Sequence, residues 1–323
     1  MAYVDYRRSC DCDRIYTIRS DGSERAVVLT SESAESARYP QWSPDGSKIA
    51  FYGGPSGSHL HVVDADGSDQ VDLSGYSPNG VGGQLWDFDW SPDSQSLVFS
   101  FGDNYGTVDY EIRSAVFTVR ADGSLLRQLT DADHDNRFVA WSPSGDRIAF
   151  SSNRDEGTNI YTIEPTGLGL HQLTDAPEGV GNIRSAWAPD ESKVFYTRDK
   201  GWTAVKSMLP DGSQEKKIQS FKQYGSWDLS PAGTELLILQ LDKRSGSYQV
   251  FIGRADGTGP LTRITNTPTD KYDANWSPTG RTIAFSAIVP DGQNVFVVSR
   301  DGSETHRLTR RHGGIEPDWR PTG

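Results

Sequence analysis

A turn signal reading Trp-Ser-Pro-(Asp/Thr/Ser)-Gly, or a close variant, returns seven times along this chain at nearly constant spacing. Trp42, Trp90, Trp141, Trp187, Leu229, Trp276 and Trp319 hold the same place in each copy, separated by 48, 51, 46, 42, 47 and 43 residues. Between them falls an Asp-Gly turn after an alternating apolar run, at Asp21-Gly22, Asp66-Gly67, Asp122-Gly123, Asp211-Gly212, Asp256-Gly257 and Asp301-Gly302, with Thr166-Gly167 in the remaining slot. A unit of this length cannot bury its own apolar faces, so it must stack on copies of itself.

The copy around Trp141 resolves into four short strands, a to d from the inside outward. Arg137–Trp141 is strand a, Ser142–Gly145 a tight turn, Arg147–Ser151 strand b, Asn159–Glu164 strand c and Leu170–Thr174 strand d. Strands of about five residues between turn clusters predict antiparallel sheet, and no segment carries a sustained helical apolar period. Apolar residues on both sides of strand b (Ile49, Ala50, Phe51; Leu97, Val98, Phe99) predict a sheet covered on two faces. The motif tryptophans are read as packing between blades.

The two ends complete the pattern. Glu316–Gly323 reads as a strand a with its turn, and Ala2–Tyr6, Arg14–Arg19 and Arg25–Leu29 read as b, c and d. From Trp319 through the joined ends to Trp42 is a step of 46, like the internal ones. The expectation is a single domain over 1–323: an all-β, seven-bladed β-propeller of four-stranded antiparallel blades, closed by N-terminal strands b-c-d on a C-terminal strand a. Closure removes exposed sheet edges.

Repeats reading YPQWSPDGSKIAFYGG and then LHVVDADGSDQVDLS resemble the TolB-type β-propeller repeat, a relative of the WD-repeat propellers. The likeness covers essentially the whole chain. TolB itself joins a six-bladed propeller to a small α/β domain and acts in periplasmic protein interactions; this chain has seven copies. Similar propellers gate oligopeptidases, and a few seven-bladed relatives are oligosaccharide lyases. No G-x-S-x-G nucleophile elbow occurs in this sequence.

A net charge of −12 and pI near 4.9 offer no basic stripe for a nucleic-acid backbone. No apolar run approaches a membrane span. Cys10 and Cys12 are too close in sequence for an easy mutual disulfide and lack nearby metal partners. Met1 opens directly into a strand-like run, which reads as cytoplasmic, or as periplasmic or extracellular by resemblance if a leader was trimmed.

Alternation puts the uniform a–b and c–d turns on one face and the variable d–a and b–c loops on the other, where binding residues are expected. Trp86, Trp202, Tyr105 and Tyr110 belong to those loops. Three residues before each motif position stand Tyr39, Asp87, Phe138, Arg184, Ser226, Asp273 and Glu316, with Arg137 and Lys271 beside them. One residue before it stand Gln41, Asp89, Ala140, Ala186, Asp228, Asn275 and Asp318. Six carboxylates thus gather near the expected axis, either to hold a cation such as calcium or a basic peptide, or to bond neighbouring backbone and water. Asp64–Asp69 has a calcium-loop look but coincides with the ordinary c–d turn.

His59, His134 and His312 fall in or beside the variable loops, and His61, His171 and His306 in strands c and d. With no nucleophile motif, no dense metal-ligand spacing and no phosphate-cradling loop, the sequence predicts a non-catalytic, monomeric scaffold without a resident cofactor. It would bind a protein or peptide through Tyr39, Trp86, Asp87, Tyr105, Arg137, Arg184, Trp202, Asp273 and Glu316. The competing expectation is a carbohydrate-active lyase or hydrolase using loop histidines and the aromatics Trp86 and Trp202.

Overall fold

A computed structural model describes residues 1–7, 12–29, 36–54, 58–73, 83–103, 113–201, 203–221, 225–310 and 314–321. Among these residues every regular element is a β-strand, and no helix is long and apolar enough to cross a membrane. The strands form seven four-stranded antiparallel sheets. Six begin on the inner strands Ala37–Trp42, Gln84–Trp90, Asn136–Trp141, Gly181–Trp187, Ser226–Leu229 and Lys271–Trp276, and run outward in chain order. In the seventh, Ile315–Asp318 pairs with Ala2–Arg7, followed by Cys12–Thr17 and Ala26–Val27. Ala2 faces Asp318 and Val4 faces Ile315 across that junction. The chain is a seven-bladed β-propeller whose shared blade joins its two ends.

The chain divides into two compact units, Met1–Gln70 with Gln223–Gly323, and Val71–Lys222. Within each, the motif tryptophan seals one blade against the one before it. In the first unit Trp42 packs with Ile49 and Phe51 of its own sheet and Ala2, Ile15 and Val28 of the preceding one. Trp276 does the same with Leu237, Val250 and Ile264. In the second unit Trp187 packs with Ala149, Ile160 and Leu173. The second strand Ile148–Ser152 is buried over its whole length, as a strand covered on both faces must be.

Turn chemistry explains the punctuation. After Trp42, the Gly46 N–H donates to the Ser43 carbonyl at 2.8 Å, and the Ser43 N–H to the Lys48 carbonyl at 2.9 Å. In the c–d turn the Asp66 carboxylate accepts the Ser68 N–H at 3.0 Å and its hydroxyl at 2.6 Å. Those bonds hold the Asp66 carboxyl below the usual carboxylate range and close Asp64–Asp69 as a turn of the repeat.

The glycine of that turn is demanded twice, by its positive φ and by its neighbour. A Cβ on Gly212 (φ +84°) would lie 2.6 Å from the Leu173 carbonyl oxygen of the preceding blade. Gly67 stands likewise against Val28 and Gly302 against Ile264.

One recurring device is carried by a Leu/Ile-Thr pair just after the outer strand, at Leu129-Thr130, Leu173-Thr174, Ile264-Thr265 and Leu308-Thr309. Threonines after the outer strand clamp strand c. Thr130, Thr174, Thr265 and Thr309 accept the N–H of Val116, Ile160, Val250 and Val295 at 2.9–3.0 Å. Three of these hydroxyls then donate to Asn159, Gln249 and Asn294.

Gly212→Ala is expected to destabilise the protein by at least about 2 kcal/mol, combining left-handed strain with the carbonyl clash. Gly259→Ala, at φ +77° with nothing within 4 Å of a Cβ, is expected to cost about 1 kcal/mol. Urea unfolding of both measures the difference, and equal losses would remove the interblade contribution.

Candidate functional site

The inner strands do not run straight. At Tyr39, Phe138, Arg184, Asp273 and Glu316, all three residues before the motif position, φ is +50° to +59°. In four of these blades strand pairing slips across the same place, between Arg38 and Gln41, Arg137 and Ala140, Ile183 and Ala186, and Tyr272 and Asn275. A bulge with a non-glycine residue in the left-handed region costs about 1–3 kcal/mol, and such strain gathers where backbone is aimed for a purpose.

Here the freed N–H groups donate to carboxylates on the adjacent inner strand. In the first unit Glu316 accepts the Tyr39 N–H at 2.6 Å, Asp318 that of Trp42 at 2.8 Å and Asp228 that of Trp276 at 3.0 Å. In the second unit Asp87 accepts the Val139 N–H, and Asp89 that of Trp141 at 2.8 Å. Asp273 takes the Ser286 hydroxyl at 2.8 Å. Each of the six carboxylates singled out from sequence therefore bonds a neighbouring group.

Burial governs the titration of Asp87, Asp228, Glu316 and Asp318. It pushes the Asp87 and Asp318 carboxyls up to about 7 and Asp228 up to about 6, against the backbone N–H groups that pull them down. Glu316 is also raised by burial, although Arg38 bonds it at 2.7 Å. Lys271 is buried, its Nζ bonding the Thr269 and Thr267 carbonyls, and burial lowers it to about 8.

The second unit carries the most developed cluster. Trp86 does not stand in a loop, as the sequence reading had it, but within the inner strand Gln84–Trp90. The Arg137 guanidinium lies 4.8 Å from the Trp86 ring centre and 5.6 Å from that of Phe138, and the Arg184 guanidinium lies 5.3 Å from the same Phe138 ring. Three adjacent inner strands thus build a ladder, Trp86–Arg137–Phe138–Arg184, with Asp135 bonding Arg137 from the side. Arg184 is exposed. Each stack contributes about 0.5–1 kcal/mol at such sites and fixes the planar cations without using their N–H edges.

The first unit holds a smaller group. Tyr39 is 53% exposed and packs edge-on against Tyr52, with ring centres 5.3 Å apart, beside the Arg38–Glu316 ion pair. Tyr105, Tyr110, Trp202 and His312 lie outside the described residues. Phe138 was not among the expected binding residues. Its place in the same repeat column as Arg184, next to Arg137, was the available signal.

The family model for the TolB beta propeller domain matches residues 1–240 and 59–323. The chain belongs to that family. It is similar to dipeptidyl-peptidase 5 of Porphyromonas gingivalis, 25% identical over 248 residues, which cover 72% of this chain and 35% of that protein. The matches span only 20% to 53% of the length of the curated relatives. Among solved structures, puromycin hydrolase superposes with a TM-score of 0.73 at 16% identity, covering 96% of this chain and 52% of that one. An oligogalacturonate lyase in complex with manganese superposes with a TM-score of 0.70 at 11% identity, covering 89% and 83%.

These relatives correct the expectation of a non-catalytic interaction scaffold. Peptidases, a hydrolase and a lyase all carry this fold. The absence of a nucleophile motif was a poor guide, because the match covers only 35% of the length of dipeptidyl-peptidase 5 and a fold by itself does not fix chemistry.

Acid is expected to stabilise the inner strands of the first unit. Asp228 titrates at 3.8 when unfolded and about 6 when folded, so the folded state holds the extra proton between these values. Its contribution is full below pH 4 and is lost as pH rises through 6. Asp228→Asn keeps an acceptor for the Trp276 N–H without the buried charge. Urea unfolding should find it more stable than the parent at pH 8 and no more stable at pH 4; the opposite order would refute the burial argument.

Proposed function

We propose that this chain works in a propeller-type enzyme acting on carboxylate-bearing oligosaccharides, which it holds at the Trp86–Arg137–Phe138–Arg184 ladder. The observation that carries this reading is the alternation of aromatic faces with fixed guanidinium planes along three adjacent inner strands. A uronate polymer offers the complementary surface. Its carboxylates suit the bidentate edge of arginine, and its ring faces suit aromatic side chains.

The same contacts favour elimination. A carboxylate neutralised by Arg184 makes the adjacent C–H bond more acidic. His134, in the loop leading into the strand of Arg137, takes that proton; the C–H electron pair forms the new C=C bond, the bond to the glycosidic oxygen on the next carbon breaks, and the departing oxygen keeps that bond's electrons and takes a proton from water. The likeness to an oligogalacturonate lyase over most of both chains supports this assignment.

A second reading rests on the curated relatives named as peptidases. In it, the ladder receives the carboxylate of a peptide, and the chain serves as the propeller of a hydrolase.

Incubation with oligogalacturonides, followed by ultraviolet absorbance of the unsaturated product, tests the first reading. Arg184→Ala is expected to lower kcat/KM by about tenfold to a hundredfold, the worth of one charge-assisted hydrogen bond, with the melting temperature unchanged. His134→Ala is expected to lower kcat at similar KM. Turnover of aminoacyl or dipeptidyl amides, with none of oligouronides, would replace the first reading by the second.

A further inference from the structure

We infer that His59 and His61 form a binding site for a divalent transition-metal ion of the zinc class, in the first unit and separate from the ladder. The two residues lie two apart on the strand His59–Asp64, so their side chains share one face. Their rings are nearly parallel, 15° apart with centres separated by 6.1 Å, and each offers a nitrogen within 4.8 Å of the other's. Closing that gap to a common ion requires only small side-chain rotation.

The surroundings are built for the pair. Phe51, opposite His61 in the strand register, stacks on its ring at 5.3 Å and 16°, which fixes the imidazole plane. Past Tyr52 the chain continues with two glycines, Gly53 and Gly54. A Cβ on Gly53 would stand 2.5 Å from His61 Cδ2 and 2.9 Å from its Nε2. A Cβ on Gly54, itself at φ +73°, would stand 3.1 Å from His59 Cγ. Side chains at these two positions would occupy the space in which the rings lie.

Gln70 supplies the outer contact, its amide 3.3 Å from His61 Nδ1. Oriented with its oxygen toward the ring, that amide accepts the Nδ1–H and fixes the tautomer that carries its proton on Nδ1. A hydrogen bond on the far nitrogen is how ligating histidines are held in tautomer and orientation. Two imidazoles favour zinc, cobalt, nickel or copper over calcium or magnesium, which prefer oxygen. With two protein nitrogens the ion keeps open positions for water or a ligand oxygen.

The test is a titration of the metal-stripped full chain with Zn²⁺, using Co²⁺ as a spectroscopic reporter and Ca²⁺ and Mg²⁺ as controls. One equivalent of Zn²⁺ should bind and raise the melting temperature, and Co²⁺ should give a visible d–d band. Affinity should fall at least tenfold in His59→Gln, whose half-buried side chain makes unfolding no obstacle, and in Gly53→Ala, which keeps both imidazoles but fills the cradle. Absence of stoichiometric Zn²⁺ binding, unchanged affinity in His59→Gln, or equal binding of Ca²⁺ would each overturn the site.

Discussion

Everything in this structure follows from the inability of a four-stranded sheet to cover its own two faces. Each blade has strands apolar on both sides, and only another blade can remove both from water. The motif tryptophan is the largest single piece of that closure, as the packing of Trp42 and Trp276 on the preceding sheets illustrates. The glycine turns serve the same end, letting the Gly212 backbone approach the Leu173 carbonyl more closely than a side chain would allow. Stacking is thus set by bulk at one end of the repeat and by missing bulk at the other.

Apolar stacking has little direction, and the polar bonds supply it. Half-buried carboxylates on the inner strands accept backbone N–H groups from the next blade, tying neighbours together at defined heights. The arrangement needs bulged inner strands and residues in left-handed conformations, together with carboxyls whose burial raises their affinity for protons. The cost is local, whereas the gain is register along the whole inner edge. A ligand site placed on these strand starts inherits that rigidity: in the Trp86–Arg137–Phe138–Arg184 ladder the aromatic rings hold both guanidiniums, and Asp135 takes a donor of Arg137.

Most of the fold was legible because its determinants are periodic. Seven motif positions, seven turn slots and two half-patterns at the ends gave the blade number and the closure, and Ala2 does face Asp318. The site was legible only in part. Arg137, Arg184 and Trp86 were picked out by position, yet nothing in their spacing, 47 residues between the two arginines, said that one phenylalanine ring would lie between the two guanidiniums. The carboxylates were found as a group, while the particular N–H each accepts depends on a bulge with no composition of its own: Tyr, Phe, Arg, Asp and Glu all occupy it. His59 and His61 were seen singly and assigned to a loop and a strand; the two-residue spacing on one strand was the overlooked signal.

The amino-acid sequence by itself determined the all-β class, the repeat, the blade count and the sharing of one blade between the ends, because those depend on local turn chemistry and on apolar patterns a few residues long. Tertiary structure alone decided which side chains from different blades meet, which carboxyls become buried and change their titration, and which rings stack. Such outcomes depend on distances between segments some forty to fifty residues apart, and these exist only once the sheets have packed.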